Sequence, residues 1–344
     1  MNAADPLATR LPVTLITGFL GSGKTTLLRR LLRHPGMNRS AVIINELGDV
    51  ALDHELVAAS SEQMTLLGNG CLCCTMRTDL QETLRELFIK RRAGEVIDFD
   101  RVFVETTGLA DPVPVLHTLQ TDGFLGAQFR LNGVVTLVDA VNGAGQLDTM
   151  PEAVKQAAVA DRLVITKTDI ASAKQVEELE SRLGSLNRFA AVDTAIDGEL
   201  DPELLVDIAP RSRSASSDAL DRWLSSGKGR ALDRPIGPVP GHDPAIQSFS
   251  LLFERPFTWN TLNAVLEVLS TLRGPDLLRM KGIVHVEGER GPVVIQGAQH
   301  LFHPPIVLDP RPGIDPRSRI VFITRNIPRE SIERLFAAVA GLGS

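Results

Sequence analysis

The three cysteines of the chain lie within four positions, at Cys71, Cys73 and Cys74. Thiolates are soft ligands that suit Zn²⁺ or Cu(I), and three of them on one short segment would chelate a single ion and leave its fourth position open. Tetrahedral Zn²⁺ is the leading metal, and Co²⁺ fits the same geometry. A redox switch and inert packing of buried thiols are the alternatives. We expect a metal site, because Gly70 and the polar Thr75 flank the cluster.

A second candidate site is the segment 18–25, which fits the phosphate-loop pattern G-x-x-x-x-G-K-[ST]. It lies between a predicted strand at 13–16 and a predicted helix at 24–33, as the pattern requires. In such a loop the backbone N–H groups surround phosphates, the lysine reaches the β and γ oxygens, and a hydroxyl binds Mg²⁺. A glycine-rich turn that binds nothing is the alternative. The predicted nucleotide ligands are Gly18, Gly21, Ser22, Gly23, Lys24, Thr25 and Thr26, with Thr25 also a metal ligand.

The next candidates follow an apolar strand predicted at 102–104. Glu105 ends that strand and would hold Mg²⁺ through a water molecule, and Gly108 would offer its N–H to the γ-phosphate, as switch loops do. A capped strand end without ligands is the alternative. We therefore expect Lys24 and Glu105 to act in catalysis, with nucleotide hydrolysis as the reaction.

A third apolar strand, predicted at 163–165, leads into Thr166, Lys167 and Asp169. A carboxylate at the last position accepts hydrogen bonds from the N1–H and 2-amino groups of guanine, which adenine lacks. The stem of Lys167 would lie on the purine face. In the usual Asn-Lys-x-Asp motif an asparagine stands where this chain has Thr166. A solvated surface acid is the alternative, but the order of the motifs favours GTP and GDP as ligands.

The elements between these motifs predict the fold class. Continuous apolar strands alternate with helices up to residue 210, which is typical of an α/β fold with a mostly parallel sheet. Residues 211–245 are rich in serine, glycine and proline and predict a flexible linker, with one helical turn near Trp223. Residues 246–344 predict a smaller α+β domain with an antiparallel sheet.

Composition narrows the function classes. The net charge is −6 and no basic stripe is present, so nucleic acid is not an expected partner. The apolar run 11–20 is too short for a membrane span or a signal peptide. We therefore expect a cytoplasmic protein whose thiols stay reduced.

Taken together, these motifs resemble those of the CobW-type GTPases, a family of metallochaperones with cobalt-, zinc- and nitrile-hydratase-associated members. The likeness rests on Asn69-Gly70-Cys71-Leu72-Cys73-Cys74-Thr75, Glu105-Thr106-Thr107-Gly108-Leu109-Ala110-Asp111-Pro112 and Thr166-Lys167-Thr168-Asp169. The C-terminal part is similar to the CobW C-terminal domain at Arg255-Pro256-Phe257, Lys281-Gly282, Gln296-Gly297-Ala298-Gln299-His300 and Ser318-Arg319. The resemblance implies a P-loop NTPase domain at 1–210 and a CobW C-terminal domain at 246–344.

The resemblance also implies a function. The chain would hydrolyse GTP, bind Zn²⁺ or Co²⁺ at the cysteines and pass the metal to a client apo-metalloprotein; homo-oligomers are possible. A GTP-regulated metal sensor that transfers nothing is the second hypothesis, and a small-molecule P-loop kinase is the third. Glu46 is the fourth metal ligand that the resemblance implies, with a loop cap or a Mg²⁺ contact as alternatives. The cysteines lie between two predicted switch segments, 45–53 and 105–111, which suggests that nucleotide state gates the metal site.

Two features depart from the family pattern. The usual segment Asn-Glu-Phe-Gly-Glu is replaced by Asn45-Glu46-Leu47-Gly48-Asp49, and the chain has no histidine-rich tract. Of its seven histidines only His300 and His303 lie close in sequence. We expect that pair to be packing or interface residues and not metal ligands.

Overall fold

The structure is a computed structural model in which two compact units are distinguished. The N-terminal unit comprises Met1–Gln156, Ala160–Leu179 and Asp193–Ala209, and the C-terminal unit comprises Ala157–Val159, Glu180–Val192 and Pro210–Ser344. The residues that the structure describes are 9–45, 64–66, 72–76, 80–206, 208–210, 213, 215–224, 245–310 and 315–342. In these ranges no helix is both long and apolar enough to cross a membrane.

An eight-stranded sheet forms the centre of the N-terminal part, in the order β3-β4-β2-β5-β1-β6-β7-β8. The six strands from β4 to β7 in that order run parallel, and β3 is antiparallel to β4. Its strands are β1 (Leu11–Gly18), β2 (Ser40–Asn45), β3 (Met64–Leu66), β4 (Leu72–Met76), β5 (Arg101–Glu105), β6 (Phe129–Asp139), β7 (Arg162–Thr166) and β8 (Ala191–Ala195). The prediction of a mostly parallel sheet is confirmed.

Helices alternate with these strands along the chain. They are α1 (Lys24–Arg33), α2 (Leu80–Ala93), α3 (Val113–Thr121), α4 (Gly123–Gln128), α5 (Gly143–Thr149), α6 (Pro151–Val159), α7 (Ala173–Leu186) and α8 (Glu203–Val206). In α1, leucines at helical spacing form a buried face that packs with Phe103 of β5 and Val135 of β6. This packing fixes the start of α1 against the carboxyl edge of the sheet.

The parallel sheet brings the sequence motifs together. Gly18, Glu105, Asp139 and Thr166 are the last residues of β1, β5, β6 and β7, which are neighbours in the sheet. Since the carboxyl ends of parallel strands meet at one edge, residues far apart in sequence share a single site there. All the described nucleotide motifs lie at this edge.

The C-terminal unit has a second, antiparallel sheet in the order β12-β11-β10-β14-β9, with β13 also paired to β11. Its further elements are α9 (Ser217–Leu224), β9 (Ile246–Phe253), α10 (Trp259–Arg273), β10 (Leu277–Val284), β11 (Val293–Ala298), β12 (Leu301–Phe302), β13 (Ile306–Val307), β14 (Ser318–Arg325) and α11 (Arg329–Leu342). Residues of α10 and α11 share one apolar core with the sheet, including Leu262, Phe322 and Phe336. The predicted smaller α+β domain is confirmed.

Two features of this unit differ from what the sequence pattern indicates. In β10 the charged residues Arg279 and Lys281 interrupt the apolar pattern that predicts a strand, although both are buried. The predicted flexible linker contains α9, whose Trp223 is buried and accepts a hydrogen bond at its carbonyl from Lys281 Nζ (3.3 Å). The serine-rich composition of the segment does not predict this amphipathic helix. Residues 225–244 lie outside the described part of the chain.

Candidate functional site

The predicted phosphate loop connects β1 to α1 and requires glycine at its first position. A side chain at Gly18 would place its Cβ 2.4 Å from the carbonyl oxygen of Leu137 on β6. Gly23 has a φ of 91° and caps α1, a left-handed conformation that other residues rarely adopt. The Ser22 N–H donates to the Phe19 carbonyl (3.1 Å), which closes the turn. The backbone is thus bent tightly over the N-terminus of α1, where anions bind well.

Lys24 is buried at the first position of α1. Its Nζ donates to the carbonyls of Gly18 (2.8 Å) and Phe19 (3.1 Å), so the ammonium group lies inside the loop. Burial lowers the pKa of Lys24, and the negative charge of Glu105 acts in the opposite direction. Phosphate oxygens are stronger acceptors than these carbonyls and would take over the donated hydrogen bonds.

The hydroxyl of Thr25 donates to Oε1 of Glu105 (3.0 Å), which ends β5 and is buried. The next residue, Thr106, donates from its N–H to the Ile16 carbonyl (3.0 Å) and from its hydroxyl to Thr17 Oγ1 (2.8 Å). These bonds hold the end of β5 beside β1. A hydroxyl and a carboxylate in contact are oxygen donors of the kind Mg²⁺ prefers, so the pair fits that ion.

Gly108 lies directly on the phosphate loop. A Cβ at this position would be 2.7 Å from the backbone N and 2.8 Å from the Cα of Leu20. Only glycine allows the loop after β5 to approach this closely. The structure thus brings Gly108 to the phosphate loop, and its contact with the γ-phosphate stays a prediction.

The motif at the end of β7 is tied to the phosphate loop and to β6. Thr166 Oγ1 donates to the Ser22 carbonyl of the phosphate loop (2.8 Å), so threonine makes a tether at the position of the usual asparagine. Lys167 has a φ of 59°, and its Nζ donates to Oδ2 of Asp139 (2.7 Å). Asp169 is exposed and makes no hydrogen bond in the described ranges. A carboxylate in that position is accessible to a purine.

Asp139 is a site residue that the sequence reasoning missed. It is buried, and its carboxylate also accepts from the Val141 N–H (2.8 Å) and from Asn142 Nδ2 (2.8 Å). Burial raises the pKa of Asp139, but the hydrogen bonds from Lys167, Asn142 and Val141 outweigh it and hold the pKa below its usual value. The sequence does contain a signal for Asp139: it is an acidic residue directly after the apolar run 134–138, as Glu105 is after the apolar run 102–104.

The loop after β8 is a second missed feature. A Cβ at Gly198 would be 2.8 Å from the Thr26 carbonyl on the first turn of α1, and Thr26 itself is exposed. Arg30 of α1 pairs with Asp197 and with Glu199 (3.3 Å). No local pattern links this loop to α1, so sequence alone gave no signal.

The candidate metal ligands lie partly outside the described residues. Cys71 and Glu46 fall there, whereas Cys73 and Cys74 are on β4, opposite Val42 and Ile43 of β2. Among the described ranges, no three or more His, Cys, Asp or Glu side chains are grouped so as to hold a metal ion. The metal site as a whole therefore stays a prediction.

The expectation for the histidine pair concerns the C-terminal sheet. The ring of His300 lies beside Gly274, where an added Cβ would be 2.1 Å from Nδ1, and the His303 N–H donates to the Gln296 carbonyl (2.9 Å). The first is a packing contact of the ring and the second is a backbone hydrogen bond, so the role of the pair stays a prediction.

Comparison with known proteins agrees with this geometry. Residues 12–193 match the family model of the CobW/HypB/UreG nucleotide-binding domain, and residues 246–340 match the model of the cobalamin synthesis protein CobW C-terminal domain. Zinc chaperone YjiA of Escherichia coli K12 is 34% identical over 331 residues, covering 96% of this chain and 98% of that protein. Zinc-regulated GTPase metalloprotein activator 1 of Saccharomyces cerevisiae is 29% identical over 364 residues, covering 95% of this chain and 82% of that protein.

A solved structure extends the likeness to three dimensions. The crystal structure of Zn(II)-bound YjiA GTPase from E. coli superposes with a TM-score of 0.75 at 33% identity, covering 96% of this chain and 99% of that one. Matches of this extent span both units. The chain belongs to the CobW family of P-loop GTPases.

Proposed function

We propose that this GTPase is a zinc metallochaperone, which binds Zn²⁺ at Cys71, Cys73 and Cys74 and passes it to a client apo-metalloprotein under the control of GTP hydrolysis. The proposal is supported by relatives named as a zinc chaperone and a zinc-regulated GTPase metalloprotein activator. It is supported further by the position of two of the cysteines relative to the nucleotide site.

The nucleotide half of the cycle uses the residues at the carboxyl edge of the sheet. Lys24 exchanges the loop carbonyls for the β and γ oxygens and offsets their charge. Thr25 and Glu105 would hold Mg²⁺, which neutralises charge that develops on the phosphates. Gly108 offers its N–H to the γ-phosphate, so its loop senses whether that group is present. Asp169 and the stem of Lys167 select guanine.

The observation that carries the proposal is the strand register between the cysteines and this edge. Thr75 of β4 is opposite Ile44 of β2, and Ile44 is opposite Glu105 of β5. Cys74 is one residue before Thr75 on β4. Two strand spacings of about 4.8 Å separate β4 from β5, so the cysteine strand is about 10 Å from the strand that ends in Glu105. A rearrangement at Glu105 and Gly108 is thus transmitted to the cysteines through a single intervening strand.

The donor set favours zinc. Three thiolates and one oxygen or nitrogen ligand form the tetrahedral site that Zn²⁺ takes, and Co²⁺ accepts the same geometry. We assign Glu46 as the fourth ligand, since it directly follows Asn45 at the end of β2, the strand paired with β4.

The test is Zn²⁺ affinity by chelator competition, with GDP and with a non-hydrolysable GTP analogue. We expect affinities that differ by about 5- to 150-fold, the usual range of coupling between two sites. Replacing the three cysteines by serine should abolish the binding, whereas His300→Ala/His303→Ala is the matched control and should leave it intact. Equal affinity in both nucleotide states would contradict control by GTP.

A second measurement separates transfer from sensing. Zn²⁺-loaded protein is mixed with a fluorescent chelator, and release is followed while GTP is hydrolysed. A chaperone should release zinc faster during turnover than with GDP, and Lys24→Ala should lose that acceleration. Zinc that stays bound throughout turnover would indicate a GTP-regulated sensor instead.

A further inference from the structure

The helix α6 carries a buried amide that bonds to the loop of Gly108. Gln156 is 0% exposed, and its Nε2 donates to the carbonyls of Gly108 (3.1 Å) and Ala110 (3.0 Å). The backbone of Gln156 is fixed as well, because its carbonyl accepts from Thr136 Oγ1 of β6 (2.7 Å). The amide therefore links the sheet to this loop.

The loop that Gln156 holds is the one that lies on the phosphate loop. Its Gly108 comes so close to Leu20 that an added Cβ would be 2.7 Å from the Leu20 backbone N. The neighbouring helix residue, Lys155, pairs with Asp111 at the far end of the same loop (3.3 Å). Two consecutive residues of α6 thus hold both ends of the segment 108–111.

The amide of Gln156 is only half satisfied. Both N–H groups have acceptors, whereas its Oε1 is buried and has no hydrogen-bond partner within the described ranges. A buried acceptor without a partner destabilises its arrangement by more than one typical hydrogen bond stabilises it. A shift of the loop can therefore exchange the hydrogen bonds of this amide for others, as expected for a segment that takes two positions.

We propose that Gln156 is a positioning residue for the γ-phosphate loop, and that its two hydrogen bonds favour the loop position required by GTP over that required by GDP. The γ-phosphate needs the Gly108 N–H beside the phosphate loop, and GDP has no group that uses it. A residue that stabilises this position raises the affinity for GTP relative to GDP. The inference rests on nucleotide binding by this family and not on the proposed zinc transfer.

The test compares two buried amides that each donate to two backbone carbonyls. Asn187, also buried, donates from Nδ2 to the carbonyls of Ala157 (2.9 Å) and Ala158 (3.1 Å), the two residues that follow Gln156 on α6. Its Oδ1 also accepts from the N–H groups of Phe189 (3.3 Å) and Ala190 (3.1 Å), and none of these four bonds involves the loop of Gly108. Gln156→Met and Asn187→Leu each remove an amide that donates to two backbone carbonyls, and each keeps a side chain of similar size. Gln156→Glu and Asn187→Asp form a second pair, in which a carboxylate faces the carbonyls.

Affinities for GDP and for a non-hydrolysable GTP analogue are measured with Mg²⁺ as the only metal. Gln156→Met should reduce the preference for the analogue about tenfold, since two neutral hydrogen bonds are lost, and Gln156→Glu should reduce it further. Asn187→Leu should lower the melting temperature at least as much as Gln156→Met does, since the accepted bonds of its Oδ1 are lost as well. Both Asn187 variants should leave the preference unchanged. If Gln156→Glu or Asn187→Asp does not fold, Gln156→Met and Asn187→Leu alone carry the test.

An unchanged preference in Gln156→Met, with a melting temperature lowered as in Asn187→Leu, would overturn the proposal and leave Gln156 a structural residue. Since no zinc is present in the assay, failure of the zinc chaperone proposal does not affect this outcome. A wild-type protein that binds neither nucleotide would instead contradict the nucleotide chemistry itself.

Discussion

At the phosphate end of the nucleotide site the side chains bond to the phosphate loop or to one another, whereas at the base end Thr166 and Lys167 bond to Ser22 and Asp139. Lys24 donates to loop carbonyls and Thr25 donates to Glu105. In the proposed site, each of these groups would exchange its partner when phosphates and Mg²⁺ bind. The phosphate end consists of Gly18, Lys24, Thr25, Glu105 and Gly108.

The base end consists of Asp139, Thr166, Lys167 and Asp169. Thr166 donates to the Ser22 carbonyl and Lys167 donates to Asp139, both through side-chain atoms that guanine recognition does not need. The carboxylate of Asp169, to which we assign the selection of guanine, is exposed. The base end is therefore preorganised and the phosphate end is responsive. Substitutions at the phosphate end should change turnover, and those at the base end should change affinity and selectivity.

The largest effect is expected at the phosphate end. Lys24→Ala and Thr25→Ala should each lower kcat for GTP hydrolysis about 100- to 1000-fold, the usual cost of losing one group that stabilises transition-state charge. Single-turnover phosphate release with purified protein measures this. Both variants should keep a cooperative thermal transition, since the two side chains serve the ligand and not the core. Near-normal turnover in both would remove the basis for calling this end responsive.

At the base end the largest effect is expected from Asp169→Asn. The amide matches the 2-carbonyl of xanthine and not the 2-amino group of guanine, so GTP should bind about ten- to a hundredfold more weakly and xanthosine triphosphate more tightly. Titration calorimetry with the two nucleotides measures the switch. Equal affinities of the unmodified protein for ATP and GTP would show that this end does not select guanine.

The site residues that the sequence predicts are those that stand at the end of a predicted strand. Gly18, Glu105 and Thr166 each follow an apolar run, and a parallel sheet necessarily collects such positions at one edge. The helix α1 was predicted with its observed bounds because leucines at helical spacing follow the lysine directly. These features are local patterns, which is why sequence alone reveals them.

The contacts that hold these residues in place are not local. Lys167 and Asp139 are 28 positions apart, and Gln156 is 48 positions from Gly108. Neither Asp139 nor Gln156 belongs to a motif with a defined spacing, since each acts through its place in the folded sheet. The buried Arg279 in β10 limits prediction in a different way, because a charged residue there breaks the apolar pattern that predicts a strand.

The next effect in size is expected from Asp139→Asn, which removes the charge beside Lys167 and keeps an oxygen for the Val141 N–H. GTP and GDP should both bind about five- to tenfold more weakly, because part of a charged hydrogen bond is lost, while kcat should stay unchanged. Asp161→Asn is the matched control, since Asp161 is a buried acid that accepts from the Val134 N–H (2.8 Å) at the amino end of β7. Equal losses of affinity in both variants would argue against a role for Asp139 at the base end.

The same variant has a pH signature. Because the folded-state pKa of Asp139 is lowered, its contribution to stability is complete above the usual value of 3.8 and is lost as the pH falls through the folded-state pKa. The difference in unfolding free energy between the wild type and Asp139→Asn should therefore narrow below that value. Denaturant titrations across the acid range measure it, and a difference that does not depend on pH would contradict the ion pair.

The smallest effect is expected at Thr166, the residue that joins the two ends through the Ser22 carbonyl. Thr166→Val removes the donor and keeps the shape, so affinity for both GTP and GDP should fall about two- to fivefold, as for one neutral hydrogen bond. Thr166→Ser keeps the donor and should bind both nucleotides as the wild type does. Since Ser22 belongs to the phosphate loop, this tether also tests whether the ends are independent. A fall in kcat with unchanged affinity in Thr166→Val would mean that the base end positions the catalytic loop, and the division between a preorganised and a responsive end would no longer hold.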